Sequence, residues 1–141
     1  WPLKPVMTKE NPVNPDPLYP KNLGYAFRGY ALGKNGNPTL RYLCGEIAIE
    51  DRFEVKSEKI LKRSFDFDAK KPGVLHFRAL TGQIMSESGG VFKTADLRLT
   101  LGSEVETVLR SIGVDGKQEL LMKIPLGPKR NTYSIDYEIL R

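Results

Sequence analysis

The chain has 141 residues, with 22 lysines and arginines against 17 aspartates and glutamates, and a formal charge of +5. That length suits one domain with a core of its own, and the ordinary balance of apolar and charged residues excludes wholesale disorder. No run approaches a membrane span, and the basic groups are short and interspersed (Lys59, Lys62 and Arg63; Lys70 and Lys71; Lys129 and Arg130), so neither membrane insertion nor a nucleic-acid partner is expected.

The chain starts at Trp1 without an initiator Met, which suggests a processed product or an excised domain, any targeting signal lying outside it. Residues 1–22, WPLKPVMTKENPVNPDPLYPKN, hold six of the ten prolines. Proline has no N–H for a ladder and pushes its predecessor into extended geometry, so an extended arm or linker is expected here. Trp1, Leu3, Val6, Val13, Leu18 and Tyr19 favour an arm strapped along the domain. From Leu23 onward the period is two. LGYAFRGYAL, residues 23–32, is apolar on both faces, with Tyr25 and Phe27 on one and Tyr30 and Leu32 on the other. GKNGNP at 33–38 reads as a turn, after which Tyr30 is expected opposite Tyr42 and Leu32 opposite Leu40. That pairing sends Tyr30 and Leu32 to the core. Tyr25 and Phe27 then face outward, under the proline arm or under a ligand.

A two-residue loop at Cys44-Gly45 would pair Tyr42 with Ile47 and Leu40 with Ile49, leaving Cys44 in an exposed turn. With one cysteine, an intrachain disulfide is excluded. EIAIEDRFEV, residues 46–55, then alternates polar and apolar, except that Asp51 falls in the apolar row. A three-residue loop at 56–58 sets Val55 opposite Lys59, Phe53 opposite Leu61, Asp51 opposite Arg63, Ile49 opposite Phe65 and Ile47 opposite Phe67. Asp51 and Arg63 are therefore expected as cross-strand neighbours. A lone carboxylate on a core face is costly, and a facing guanidinium removes much of that cost. Two readings of the pair stay open: a structural ion pair at the rim of the fold, which is preferred, or a polar spot on a ligand-binding inner face.

Further along, VLHFRAL sets Leu75, Phe77 and Ala79 against His76 and Arg78, and ADLRLTL sets Ala95, Leu97, Leu99 and Leu101 against Asp96, Arg98 and Thr100. EVETVLRSI at 104–112 favours strand through its Val and Thr content and the Asp115-Gly116 signal after it. TYSIDYEIL puts Tyr133, Ile135, Tyr137 and Ile139 on one face. Turn signals at AKKPG, SGG and VDGK separate these runs. About nine short strands and no convincing helix describe an all-β chain, an antiparallel β-sandwich of jelly-roll type over residues 23–141.

Catalytic constellations are missing. There is no G-x-S-x-G, phosphate-cradling glycine loop, H-E-x-x-H or C-x-x-C, and no carboxylate pair stands out as hydrolytic. The single His76 faces outward and excludes a multi-histidine metal site, while DAKKPG and VDGK lack calcium-ligand spacing. No cofactor, metal or catalytic residue is therefore expected. The exposed aromatics Trp1, Tyr25 and Phe27 are the candidate ligand-binding residues, as a platform on which sugar rings stack.

FRGYALGKNGNPTLRY, with CGEIAIEDRFE after it and DGKQELLMKIP later, resembles a segment of large secreted bacterial proteins. In those chains an F-x-G-Y-x-L…G-x-P-T-F-x-Y…V-E-D-x-F pattern accompanies c-type cytochrome and sugar-dehydrogenase-like modules. Phe27, Gly29, Tyr30, Leu32, Gly36, Pro38, Thr39, Tyr42, Glu50, Asp51 and Phe53 carry the match, and Leu40 stands where an aromatic is usual. The resemblance implies an accessory β-sandwich of an exported multidomain protein, periplasmic or secreted, and no haem, since the chain has no C-x-x-C-H. The expected role is a non-catalytic accessory domain with polysaccharide as its candidate ligand. The alternative is a structural domain docking on neighbouring modules of its parent enzyme.

Overall fold

The computed structural model describes residues 25–102, 104–112 and 115–141; the expected arm at 1–22, Trp1 included, lies outside the described residues. Alternating side chains and glycine-bearing turns give eleven strands: β1 (Tyr25–Leu32), β2 (Pro38–Cys44), β3 (Ile47–Val55), β4 (Ile60–Asp68), β5 (Gly73–Gly82), β6 (Met85–Glu87), β7 (Val91–Lys93), β8 (Leu97–Leu101), β9 (Glu106–Ser111), β10 (Gln118–Leu126) and β11 (Asn131–Ile139). Two short strands flanking the SGG turn, β6 and β7, lift the number above nine. Residues 106–111 are strand.

The strands form two antiparallel sheets of very unequal width. The larger runs β1-β2-β3-β4-β11-β8-β7-β6 and the smaller β5-β10-β9. The chain climbs the larger sheet by successive hairpins from β1 to β4, then crosses at residues 69–72 into the smaller one. It returns for β6 to β8, crosses again for β9 and β10, and finishes as β11 between β4 and β8. This is a β-sandwich whose second layer covers only part of the first.

The core lies where the layers overlap. Phe65 and Phe67 of β4, Leu99 and Leu101 of β8 and Ile135 of β11 meet Leu75 and Phe77 of β5 and Leu120, Met122, Ile124 and Leu126 of β10. The rings of Phe65 and Phe77 touch across the layers, with centroids 4.8 Å apart. Each such side chain, fully withdrawn from water, contributes about 1.5–3 kcal/mol. Beyond the overlap, Phe27, Tyr30, Leu32 and Val55 are exposed.

Faces follow the sequence period, but the hairpin registers are displaced by two residues from those expected. In β2–β3, Cys44 pairs Ile47 and Tyr42 pairs Ile49, so the loop is Gly45-Glu46. Gly45 has φ of 58°, a conformation cheap for glycine at the first loop position and costly for the Cys44 that the expected register would have set there. In β3–β4, Val55 pairs Leu61, Phe53 pairs Arg63 and Asp51 pairs Phe65. The loop there is 57–59, with the Ile60 N–H donating to the Ser57 carbonyl at 3.3 Å and the Lys59 N–H to Ser57 Oγ at 3.4 Å. A two-residue shift preserves the face of every side chain, which is why the inner row survives it.

Two bulges break the ladders. In β1 the pairing steps from Phe27 opposite Tyr42 to Gly29 opposite Arg41, with Arg28 as the extra residue and Gly29 at φ of 103°. In β5 Ala79 is the extra residue, between Arg78 opposite Leu121 and Leu80 opposite Leu120. The Tyr137 hydroxyl donates to the Ala79 carbonyl at 3.2 Å and so ties β11 to the smaller sheet.

Candidate binding face

The first bulge overturns one expectation. In a regular strand Phe27 and Tyr30 point to opposite faces. With Arg28 inserted, Phe27 lies opposite Tyr42 and Tyr30 opposite Leu40, and Tyr42 and Leu40 share one face of β2. Phe27, Tyr30 and Leu32 are thus gathered on the inner side of the larger sheet, at 58%, 64% and 64% exposure. The Phe27 ring rests on Tyr42, with centroids 5.7 Å apart. Tyr30 and Leu32 take the inner face as expected, yet stay open because the smaller sheet does not reach β1. Same-face neighbours along one strand stand about 7 Å apart.

Cross-strand rows run from this open wing into the core. One goes Phe27, Tyr42, Ile49, Phe67; the next goes Tyr30, Leu40, Asp51, Phe65. Asp51 therefore sits between the half-buried Leu40 and the buried Phe65, with the exposed Tyr30 one strand beyond Leu40. Its side chain is fully buried, and Arg63, diagonal to it on β4, closes a two-pronged pair: Nε donates to Oδ1 at 2.9 Å and Nη2 to Oδ2 at 2.7 Å. The Arg63 guanidinium lies 4.8 to 5.0 Å from the ring centres of Phe53, Phe65 and Phe77, in favourable cation–π range. It remains 23% exposed. Burial pushes the Asp51 carboxyl above its usual range, and the hydrogen bonds and charge of Arg63 reverse only part of that. Burial works against the Arg63 charge, but hydrogen bonds and attraction from Asp51, helped by Tyr137, hold its pKa above the ordinary value. Burial first, then the Asp51 charge, raises the Tyr42 hydroxyl.

Outer faces are different in kind. On the larger sheet, Arg130 Nη2 lies 2.7 Å from Glu50 and 3.0 Å from Asp66, Arg41 also reaches Glu50, and Arg52 and Thr132 bond Asp66. Burial raises the Asp66 pKa, but the bonds from Arg52 and Thr132 outweigh it and hold the carboxyl below its usual value. Arg98 meets Glu138 at 2.6 Å. On the smaller sheet the buried Glu119 is clamped between Arg110 and Arg78, the latter an ion pair at 2.6 Å without hydrogen-bond alignment. Lys123 meets Glu106 at 2.8 Å. Many of the basic side chains are thus committed to carboxylates.

Of the residues singled out from the sequence, Trp1 lies outside the described residues, Tyr25 opens β1 opposite Cys44, and Phe27 belongs to the open inner face rather than the outer one. Sequence reasoning missed Tyr30, Leu32 and Tyr42 as members of the same surface. The available signal was Gly29, since a glycine inside a strand pattern marks a bulge. Cys44, expected in an exposed turn, is buried at the end of β2, and burial pushes its thiol up. His76 is on the outer face of β5, opposite Lys123. Among the described residues no group of three or more His, Cys, Asp or Glu is placed to hold a metal ion, and no helix is long and apolar enough to cross a membrane.

The fold and this face define a two-layer β-sandwich with an open aromatic wing. No family model and no curated protein matches the chain. Among solved structures, a heparinase III is similar in fold, with a TM-score of 0.50 at 11% identity over 85% of this chain and 22% of that one. The chain thus spans about a fifth of the length of that protein. At this identity the likeness concerns fold, and it says nothing of cytochrome or sugar-dehydrogenase modules.

Proposed function

We propose that this chain is a non-catalytic accessory domain of an exported multidomain protein and that it binds carbohydrate on the open inner face of β1 to β3. The observation that carries this reading is the bulge at Arg28, which gathers Phe27, Tyr30 and Leu32 on one exposed surface beside Tyr42. An apolar surface of this kind on a small domain calls for an occupant. Aromatic rings beside a fixed polar group suit a sugar, whose ring faces are apolar and whose edges carry hydroxyls. The likeness in fold to part of a protein named heparinase III is compatible with an accessory role, and the resemblance to exported bacterial chains supports an extracytoplasmic setting.

Affinity-gel electrophoresis of the full chain in polysaccharide gels tests the reading. Retardation by at least one polysaccharide, reduced about tenfold in apparent affinity by Tyr30→Ala or Phe27→Ala, is expected. No retardation in any gel would favour the second reading, docking on neighbouring domains of the parent chain. The short span relative to heparinase III keeps that reading in view, since the similar unit there is one part of a larger chain.

A further inference from the structure

We infer that the ligand is an uncharged polysaccharide and that Arg63, positioned by Asp51, is the residue that reads its hydroxyls; this rests on the carbohydrate-binding reading above and adds the ligand class to it. The first argument is charge. Apart from Arg28, exposed at the bulge, the described side chains that β1 to β4 carry on this face are apolar or aromatic except for Asp51 and Arg63, which neutralise each other at 2.7 Å, so no cluster of cations lines it. A sulfated or uronic chain needs a cluster of uncommitted cations to draw it in. Arg41, Arg52, Arg98, Arg130 and Lys123 instead stand on outer faces against carboxylates.

The second argument is preorganisation. Arginine carries five N–H donors in a planar fork. Asp51 takes two of them, Tyr137 is also hydrogen-bonded to the group, and three aromatic rings hold the plane. The side chain stays 23% exposed while its freedom is already spent, so little ordering cost is added when a hydroxyl meets one of its remaining donors. Asp51, wholly buried, does not touch ligand; it is a positioning residue. The exposed rings of Tyr30 and Phe27 supply stacking area on β1, on the same face as Arg63 of β4 but in neighbouring cross-strand rows.

The test uses the full chain in gels of a neutral β-glucan, a neutral mannan, heparin and polygalacturonate, at low salt and at about 0.5 M salt, where surface attraction is largely screened. Retardation by a neutral glycan, little changed by salt, is expected. Tyr30→Ala should weaken glucan and mannan binding by a similar factor. Arg63→Lys keeps the charge but loses the fork, and should change the glucan-to-mannan ratio by about fivefold or more, as should Asp51→Asn. Thermal unfolding of each variant checks that the fold is kept; if Arg63→Lys fails to fold, the exposed Tyr30 variant and the salt series still decide the ligand class. Retardation by heparin or polygalacturonate alone, lost with salt, would overturn the inference while leaving carbohydrate binding intact. An unchanged ratio in a folded Arg63→Lys protein would overturn the role of Arg63. Absence of retardation in all four gels would remove the carbohydrate reading itself.

Discussion

Asp51 and Asp66 occupy adjoining strands and titrate in opposite senses. The Asp51 carboxyl is wholly buried and its pKa is raised, so the loss of water outweighs what Arg63 returns. Removing one partner of such a pair leaves an uncompensated charge, at a cost of about 3–5 kcal/mol where burial is complete. Because Arg63 keeps 23% exposure, Asp51→Ala is expected to cost nearer 2–3 kcal/mol in urea unfolding. Replacing both, as Asp51→Leu with Arg63→Met, should recover most of that loss, since an apolar pair of similar volume avoids the desolvation altogether. A raised carboxyl contributes stability that is present below the unfolded-state pKa and declines as pH rises through the folded one; a lowered carboxyl contributes stability above the unfolded-state value that is lost as pH falls through the folded one. Asp66 is of the second kind. Melting temperatures followed downward from about pH 5, through the ordinary aspartate range near 3.9, should therefore fall less steeply in Asp66→Asn than in the parent, and more steeply in Asp51→Asn.

At the scale of the strand, the bulge in β1 decides what the surface is. Gly29 holds φ of 103° and has nothing within 4 Å of where a Cβ would be, so Gly29→Val meets no steric neighbour and its cost is backbone strain of about 1–3 kcal/mol. Deleting Arg28 is a sharper test. It removes the inserted residue, lets the ladder run regularly and still leaves Phe27 opposite Tyr42, so stability within about 1 kcal/mol of the parent and unchanged glycan retention are expected. These elements also show how far the sequence can be read. Alternation assigned Ile49, Phe65, Leu99 and Ile135 to the core and Asp51 and Arg63 to one inner row, because period two survives any even slip. It did not choose between registers two residues apart. That choice rests on turn chemistry: Gly45, not Cys44, can occupy the first loop position, and Ser57 supplies the acceptors that close the next hairpin. The aromatic wing was hidden for a related reason. An inserted residue resets the alternation, and a lone glycine was its only trace.

For the molecule as a whole, the unequal layers divide stability unevenly. Leu99 is fully buried between the sheets, and Leu99→Ala should cost about 2–5 kcal/mol in urea unfolding through lost transfer energy and residual cavity. The wing at β1 and β2 has one layer only, so its amides are expected to exchange with deuterium well before those of β4, β10 and β11, and to slow when glycan is bound. Among the described residues β1 has a ladder partner on one side alone, a free edge of eight residues flanked by apolar side chains. Such an edge invites a second molecule to add a strand and start a fibre. The kink at Arg28 and Gly29 interrupts the even row of donors and acceptors that an incoming strand would need. Straightening β1 by deleting Arg28 would keep the sugar platform and remove that guard, so the same variant that binds normally is the one whose solutions should scatter light on standing.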